Sequence, residues 1–146
     1  MKRAFASIVI CLVAATVCSA QVPSARVTFQ QLLAHPEKFV GKRVDVTGYC
    51  HTSVEELSLS ASRRADERNS GYDESIWLDV PPGQSRNIAN ITDLERKTVR
   101  VIGTFRYQPR PVLDKSVPYE RRYRGFGSYK LWAREITDIT YFQPAQ

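Results

Sequence analysis

The chain has 146 residues, of which 42% are hydrophobic and 25% are charged, and its formal net charge is +6 at pH 7. This length suits one domain of ordinary size. Only one apolar run, at the N-terminus, approaches the roughly 20 residues that cross a bilayer, so the pattern argues against a transmembrane protein.

The N-terminal run has the pattern of a secretory signal peptide. Two basic residues precede an uncharged apolar stretch over residues 4–17, and Cys18-Ser19-Ala20 then supplies small residues at a cleavage position. We therefore predict a signal peptide over residues 1–20, cleavage near Ala20, and a secreted or periplasmic domain over residues 21–146. Lipid attachment at Cys18 is less favoured, because the bulky Val17 stands where Gly, Ala or Ser is expected.

Loss of this segment leaves Cys50 as the single cysteine and lowers the net charge to +4, from 19 basic and 15 acidic residues. An intramolecular disulfide is then impossible, although the compartment would permit one. Cys50 shares the parity of Val44 and Val46 along one strand, which predicts a buried, inert thiol. Stability must therefore come from an apolar core.

A short helix is predicted at the start of the domain. Thr28 and Gln31 have the spacing of a capping box, and apolar residues at helical spacing follow. The helix should end at His35, because the residue before Pro36 avoids helical angles.

Two segments, residues 42–49 and 97–104, repeat one strand pattern. The same offset continues downstream, where Ile76-Trp77-Leu78 aligns with Leu131-Trp132-Ala133. Alternation predicts five strands, over residues 42–51, 57–62, 75–80, 97–107 and 129–142. Residues 63–74 are predicted to form a polar loop, 85–95 a short helix, 108–128 a long loop, and 134–136 a bulge in the last strand.

A helix between the third and fourth of five strands resembles the OB-fold. The predicted fold is thus mainly β, a five-stranded OB-like partly open barrel with a short N-terminal helix and a short helix between strands three and four. The chain is also similar to small secreted bacterial OB-like proteins, through P-E-K-x-x-G-K-x-V-x-V-x-G at 36–48, I-W-L-D at 76–79 and V-x-V-x-G-T-F at 99–105. The function of that group is mostly unassigned, so the resemblance implies a fold and no activity.

The OB strand order, which the resemblance implies, would place the first strand beside the fourth and the third beside the fifth. Trp77 and Trp132 should then be neighbours, with Cys50 and Phe105 at equivalent inward positions. The same alignment brings Asp79 beside Arg134, and we predict an exposed ion pair between them.

No catalytic constellation emerges from the sequence, which predicts a protein that is not an enzyme and uses no metal or cofactor. Cys50 as a nucleophile with His51 as its base is disfavoured against a buried inert thiol, because adjacent strand residues point to opposite faces. A single cysteine cannot supply a cysteine-rich zinc site or a CxxC redox site. The paired carboxylates at 55–56 and 66–67 lie in polar segments and are expected to face solvent.

One segment, residues 106–130, has a binding character, and we call it the basic-aromatic loop. It holds seven basic and two acidic residues, a net charge of +5, with five aromatic residues between them. Arginine forks match phosphate and carboxylate groups, and flat rings offer stacking surfaces. The predicted ligand-binding residues are Arg110, Tyr119, Arg121, Arg122, Tyr123 and Arg124 of the loop, together with Trp77.

Simpler explanations exist for the same residues. The loop is merely solvated, or it is neutralised by residues 55–74, which carry a net charge of −3. Trp77 stands on the outer face as a stacking platform, or it packs under the N-terminal helix beside Phe29 and Leu33.

Three hypotheses for function follow. The first is a non-enzymatic secreted or periplasmic binding module for an acidic glycan, a lipid head group or an acidic protein surface. The second is a nucleic-acid-binding OB domain, which the predicted export disfavours. The third is a structural or inhibitory envelope protein whose loop inserts into a partner.

Overall fold

The computed structural model describes residues 23–67, 72–80, 87–109, 125–128 and 130–146. These residues form six strands, two short α-helices and two 3₁₀ turns. The strands are β1 (Ala25–Arg26), β2 (Arg43–Thr52), β3 (Leu57–Ser60), β4 (Ser75–Leu78), β5 (Thr98–Tyr107) and β6 (Arg134–Pro144). The helices are α1 (Phe29–Ala34) and α2 (Arg63–Glu67), and the 3₁₀ turns cover Pro36–Lys38 and Ile91–Leu94.

Five of the strands close into a mixed barrel in the order β2-β3-β4-β6-β5, and β5 pairs back with β2. The β4–β6 pair is parallel, and the other four pairs of the ring are antiparallel. The short β1 adds to β2 in parallel outside the ring. The predicted mainly β, OB-like barrel is confirmed, with the first predicted strand beside the fourth and the third beside the fifth.

Alternation along the long strands fills the barrel interior. On β2 and β5 every second residue turns inward, and these positions carry valine, glycine, Cys50 or Phe105, which suit a pleated, buried face. Cys50 and Phe105 are both fully buried, as predicted from their equivalent places in the repeat. The core includes Phe29, Leu32, Val44, Val46, Cys50, Leu59, Ile76, Leu78, Val99, Val101, Phe105, Ile136, Ile139 and Phe142.

The sequence repeat corresponds to a local twofold relation between β2 and β5. These strands pair antiparallel, and Val46 lies opposite Val101, which is its own equivalent in the repeat. A twofold axis between these two valines therefore exchanges the strands. It relates Asp45 to Arg100, so the equivalent outward positions next to the axis carry opposite charges.

The predicted capping box at the start of α1 is present. The backbone N–H of Gln31 donates to Thr28 Oγ1 at 3.1 Å, and Gln31 Oε1 accepts from the backbone N–H of Thr28 at 2.8 Å. Two N–H groups that the helix leaves without partners are thereby satisfied. Phe29 and Leu32 then face the core.

The helical segments after β3 differ from the prediction. The predicted polar loop over residues 63–74 contains α2. The backbone N–H of Ala65 donates to Ser62 Oγ at the start of this helix, and Arg63 and Glu67 form an ion pair one turn apart. Its residues are almost all polar, so no apolar periodicity marks it. Between β4 and β5, the predicted helix over 85–95 is a single 3₁₀ turn at Ile91–Leu94 among the described residues.

The irregularity in the last strand lies further along than residues 134–136. The β5–β6 register shifts between Ile102 and Thr104, and Asp138 opposite this point has a positive φ of 49°. Gly103 permits the close approach, because a Cβ there would lie 2.5 Å from the Ile136 side chain. The two strands therefore need a glycine at this bend.

Candidate binding surface

Of the seven predicted ligand-binding residues, the structure describes Trp77. The six in the basic-aromatic loop, Arg110, Tyr119, Arg121, Arg122, Tyr123 and Arg124, lie outside the described residues. Both ends of that loop are described, as residues 106–109 and as residues 125–128 with Lys130. The geometry of the site can therefore be built from Trp77 and from these two ends.

Trp77 stands on the outer face of β4 and is half-buried. Its ring packs against Trp132, with centroids 4.8 Å apart and planes tilted by 52°, so the two tryptophans are neighbours as predicted. The edge of Tyr72 meets Trp132 at 4.6 Å. Trp77 belongs to this outer aromatic cluster of Tyr72, Trp77 and Trp132, whereas Phe29 and Leu33 of α1 pack against the barrel core.

Trp132 is the buried centre of the aromatic cluster. It is 1% exposed, and its indole Nε1–H donates to Ser75 Oγ at 3.0 Å across the outer face of β4. A buried indole needs such an acceptor, and the bond fixes the orientation of the ring. The ring of Trp132 is thereby fixed, and the ring of Trp77 packs against it.

The C-terminal end of the basic-aromatic loop packs against Trp77 and Trp132 through Gly127. Its φ is +79°, and a Cβ there would lie 2.6 Å from the Trp132 ring and 2.9 Å from the Trp77 ring. Glycine is required on both counts, for the positive φ and for the close contact. Phe126 next to it exchanges backbone hydrogen bonds with Trp132, at 2.8 and 3.3 Å.

The N-terminal end of the loop is held by Arg106. Its guanidinium donates to Glu135 Oε2 at 3.0 Å and lies 4.9 Å from the centre of the Phe126 ring. One arginine thus joins both ends of the loop to β6. Burial raises the pKa of Glu135 above its usual value, against the opposing effect of Arg106 and with help from the charges of Asp79 and Asp138.

The predicted ion pair between Asp79 and Arg134 is wrong. Arg134 donates to the carbonyl oxygens of Asp73 and Leu33, at 2.6 and 3.1 Å, and its guanidinium lies 5.6 Å from the Tyr107 ring. Asp79 accepts from the Thr137 hydroxyl at 3.1 Å. The parallel register explains the error, because Trp77 lies opposite Glu135 and Asp79 lies beyond the level of Arg134.

The face that binds ligands in many OB-folds is covered here. That face consists of the second and third barrel strands, which are β3 and β4, with the adjoining loops. Its outward serines, Ser58, Ser60 and Ser75, are all buried. Ser128 of the basic-aromatic loop also donates to the carbonyl oxygen of Glu55 beside β3, at 3.3 Å. The chain therefore folds its own residues over this face.

The histidine and carboxylates around β2 form a second polar cluster. His51 Nδ1 lies 3.5 Å from Asp66 of α2, and Glu95 accepts from the backbone N–H and the hydroxyl of Thr52, at 2.5 and 2.7 Å. Burial opposes ionisation of Glu95, but the bonds from Thr52 and the nearby His51 and Arg96 lower its pKa. Sequence reasoning missed Glu95, because its partner is distant along the chain and no local pattern links them.

Cys50 turns away from that cluster into the barrel. It is fully buried, and desolvation raises the pKa of its thiol to about 12, with smaller effects from Glu95 and Asp66. A thiolate is the reactive form, and this environment suppresses it. Cys50 and His51 point to opposite faces of β2, as predicted, and share no site.

Among residues 23–67, 72–80, 87–109, 125–128 and 130–146, no three His, Cys, Asp or Glu side chains are grouped so that they could hold a metal ion. Within the same part of the chain, no helix has the length and apolar character needed to cross a membrane. Comparison of the chain with protein-family models and with curated protein sequences finds no match to either.

Proposed function

We propose that the chain is a non-enzymatic binding module, secreted or periplasmic, that engages an anionic ligand or a partner protein through the basic-aromatic loop. One observation carries the proposal: a segment with a net charge of +5 has its two ends in contact, because Arg106 near its start lies over the ring of Phe126 near its end. Arg106 and Phe126 bring the two ends together. The chain that carries the arginines therefore leaves and rejoins the barrel at neighbouring points, and fixing the two ends of a binding segment in advance is a general way to reduce the entropy cost of binding.

The chemistry of the loop favours oxyanions. Guanidinium groups donate paired hydrogen bonds to carboxylate, sulfate and phosphate, and the interleaved tyrosines can stack on sugars. Arg121, Arg122, Tyr123 and Arg124 form the densest run of such residues, with Tyr119 and Arg110 before them. Acidic glycans, lipid head groups and acidic protein surfaces all present the matching groups. Trp77, half-buried beside Gly127, supplies a ring at the C-terminal end of the loop.

The decisive experiment compares two triple variants of equal charge. Arg121/Arg122/Arg124→Ala removes three positive charges from the loop, whereas Lys38/Lys42/Lys97→Ala removes three from exposed positions outside it. Binding to heparin and to vesicles containing an anionic phospholipid is measured at several salt concentrations. We expect the loop variant to lose binding to heparin, to the vesicles or to both, and the control to retain most of its binding to the same probe.

Equal weakening in both variants would mean that net charge alone attracts polyanions, and the proposal would fail. A pull-down from envelope extract covers the protein-partner case. A defined partner that is lost with the loop variant identifies a structural or inhibitory role, while capture by polyanions alone identifies ligand binding.

Nucleic acid is the alternative ligand, and the OB-like topology is the observation in its favour. The covered outer face of β3 and β4 argues against it, because single strands stack on exposed aromatic residues of that face in OB domains. Tight binding to single-stranded DNA that falls steeply with salt and is lost in Arg121/Arg122/Arg124→Ala would favour it.

A further inference from the structure

A groove separate from the basic-aromatic loop lies on the outer surface of β2, β5 and β6. It is open to solvent, has a volume of about 570 Å³, and is flanked by the residues that precede β1. The residues that matter for its chemistry are Ser24, Arg43, Asn87, Ile102, Thr140 and Tyr141. We call it the Arg43 groove. Its volume falls in the range of about 300–1,000 Å³ that is usual for small-molecule sites.

Arg43 gives the groove a positive charge. Its guanidinium donates to the Thr140 hydroxyl, and no carboxylate of the described residues lies within ion-pair distance of it. A guanidinium has five N–H donors, so one hydroxyl leaves most of them available. Arg43 is half-buried, and a partly desolvated cation attracts an anion more strongly than one in bulk water.

Asp45, the acidic residue next to Arg43 on the same face of β2, is already paired with another arginine. Asp45, two residues along β2, accepts two hydrogen bonds from Arg100, at 2.7 and 2.8 Å. Those bonds hold the pKa of Asp45 below its usual value, so Asp45 stays ionised and committed to Arg100. Arg43 must therefore find its counter-charge in something other than this carboxylate.

The walls of the groove complement one small hydroxylated ligand. Ser24, Asn87 and Thr140 bring a carboxamide and hydroxyls, while Ile102 and the ring of Tyr141, which lie opposite each other in the β5–β6 ladder, bring apolar surface. Arg100 lies 5.2 Å from the centre of the Tyr141 ring and is itself fixed by Asp45. The Tyr141 wall is thus held in place before any ligand arrives.

We propose that the Arg43 groove binds a small polyhydroxylated molecule that carries one oxyanion, of the kind found in an acidic monosaccharide, with Arg43 as the fork that receives the anion. A single cation among neutral polar groups and a modest apolar wall matches a ligand with one charge and several hydroxyls. The residues that line this groove are outside the basic-aromatic loop, so the groove is a second site that goes beyond the proposed function.

The test is a titration of the full chain followed by amide chemical shifts. The probes are galacturonate, galactose 6-sulfate and neutral galactose, which share a ring and differ in the anion. We expect the two anionic sugars to shift the amides of Ile102 and Tyr141 with saturation, and the neutral sugar to bind at least about tenfold more weakly, because a charge-assisted hydrogen bond is lost. The tighter of the two anionic probes identifies carboxylate or sulfate as the favoured group.

Two variants of equal charge distinguish binding in the Arg43 groove from non-specific attraction by the net positive charge of the protein. Arg43→Gln should weaken galacturonate by about tenfold or more, while Lys42→Gln, at the exposed adjacent residue, should change it less than about twofold. Arg121/Arg122/Arg124→Ala should leave this titration unchanged, so failure here and failure of the loop proposal remain distinguishable. Amide spectra of each variant show whether it is folded.

The proposal is overturned if neither anionic sugar shifts these amides at millimolar concentration. It is also overturned if galactose binds as tightly as galacturonate, or if Arg43→Gln and Lys42→Gln weaken binding to the same extent while both remain folded.

Discussion

Two arginines on the outer face of β5, Arg100 and Arg106, each hold a buried carboxylate and lie over an aromatic ring, yet the pKa values of the two carboxylates move in opposite directions. Asp45 beside Arg100 is 7% exposed, and Glu135 beside Arg106 is 6% exposed. The pKa of Asp45 is lowered, whereas the pKa of Glu135 is raised. At this similar exposure, the balance between desolvation and the partners of each carboxylate decides the direction.

The difference lies in how many bonds and charges reach each carboxylate. Arg100 donates two hydrogen bonds to Asp45, and these outweigh desolvation, with further help from the charge of Arg26. Arg106 donates one bond to Glu135, at 3.0 Å. Desolvation then dominates at Glu135, and Asp79 and Asp138 add like charges that favour the protonated form.

The two sites also serve different parts of the molecule. The Arg100 site, made of Asp45, Arg100 and Tyr141, joins three strands of the barrel on their outer face, because Asp45 is on β2 and the ring of Tyr141 is on β6. The Arg106 site extends to the basic-aromatic loop, because its ring belongs to Phe126. The stronger pairing thus supports the scaffold, and the weaker one fastens the segment to which we assign binding.

The largest expected effect is that of Asp45→Asn. This change keeps the shape of the side chain and removes the negative charge of the carboxylate, which accepts two hydrogen bonds from Arg100. We expect a loss of about 1.5–3 kcal/mol in the free energy of unfolding at pH 7, measured by urea titration, because hydrogen bonds to charged groups are worth that much. Asp93→Asn, at an exposed acid of the 3₁₀ turn at Ile91–Leu94, is the control. A loss equal to that of the control would show that the Asp45–Arg100 pair adds little.

Glu135→Gln should cost less than about 1 kcal/mol at pH 7, because its charged form is already disfavoured by burial and by two neighbouring acids. The measurement is the same urea titration. A loss as large as that of Asp45→Asn would break the comparison, since it would mean that one hydrogen bond from Arg106 stabilises as much as two from Arg100.

The pH dependence of stability separates the two carboxylates further. The folded pKa of Asp45 lies below its ordinary value of 3.8, so its contribution is present above pH 3.8 and is lost as the pH falls through the folded pKa. The folded pKa of Glu135 lies above its ordinary value of 4.5, so its contribution is complete below pH 4.5 and is lost as the pH rises through the folded pKa.

Lowering the pH from 7 to 4.5 should therefore leave the gap between wild type and Asp45→Asn unchanged. Over the same interval the wild type should gain stability relative to Glu135→Gln. Urea titrations of the three proteins at both pH values measure these differences. A wild type that gains nothing relative to Glu135→Gln would contradict the raised pKa of Glu135.

Much of the scaffold follows from local sequence patterns. Two-residue alternation predicts the long strands, the spacing of Thr28 and Gln31 predicts the helix cap, and the parity of Cys50 predicts its burial. These features depend on residues that are near in sequence and on the period of the strand, so a single sequence contains them. The OB order then places Trp77 beside Trp132.

Register between distant strands is where the sequence is insufficient. The repeat aligns Asp79 with Arg134, but the parallel ladder sets Trp77 opposite Glu135, which is further along the chain than the repeat implies. The antiparallel β2–β5 pairing does follow the repeat, because each strand there meets its own equivalent. The repeat fails at β6, because the residues before that strand bend to bring Trp132 over the outer face of β4. Of the predicted site residues, Trp77 alone has a described position.

The smallest expected effect belongs to the ring of the Arg106 site, and it tests whether this site fastens the loop. Phe126→Leu removes the ring beneath the guanidinium and should cost about 0.5–1 kcal/mol, the usual worth of an exposed cation–π contact. Tyr141→Leu, the matched change at the Arg100 site, should cost about the same.

Global stability will therefore not distinguish the two variants, but hydrogen exchange at residue 126 will. The backbone N–H of residue 126 donates to the carbonyl oxygen of Trp132, so its hydrogen exchange reports whether this end of the loop is held. We expect this amide to exchange faster in the Phe126→Leu variant than in wild type, and at the wild-type rate in the Tyr141→Leu variant. Equal exchange in both variants would mean that Gly127 and the tryptophans hold the loop without Arg106, and that the weaker of the two arginine sites has no part in presenting it.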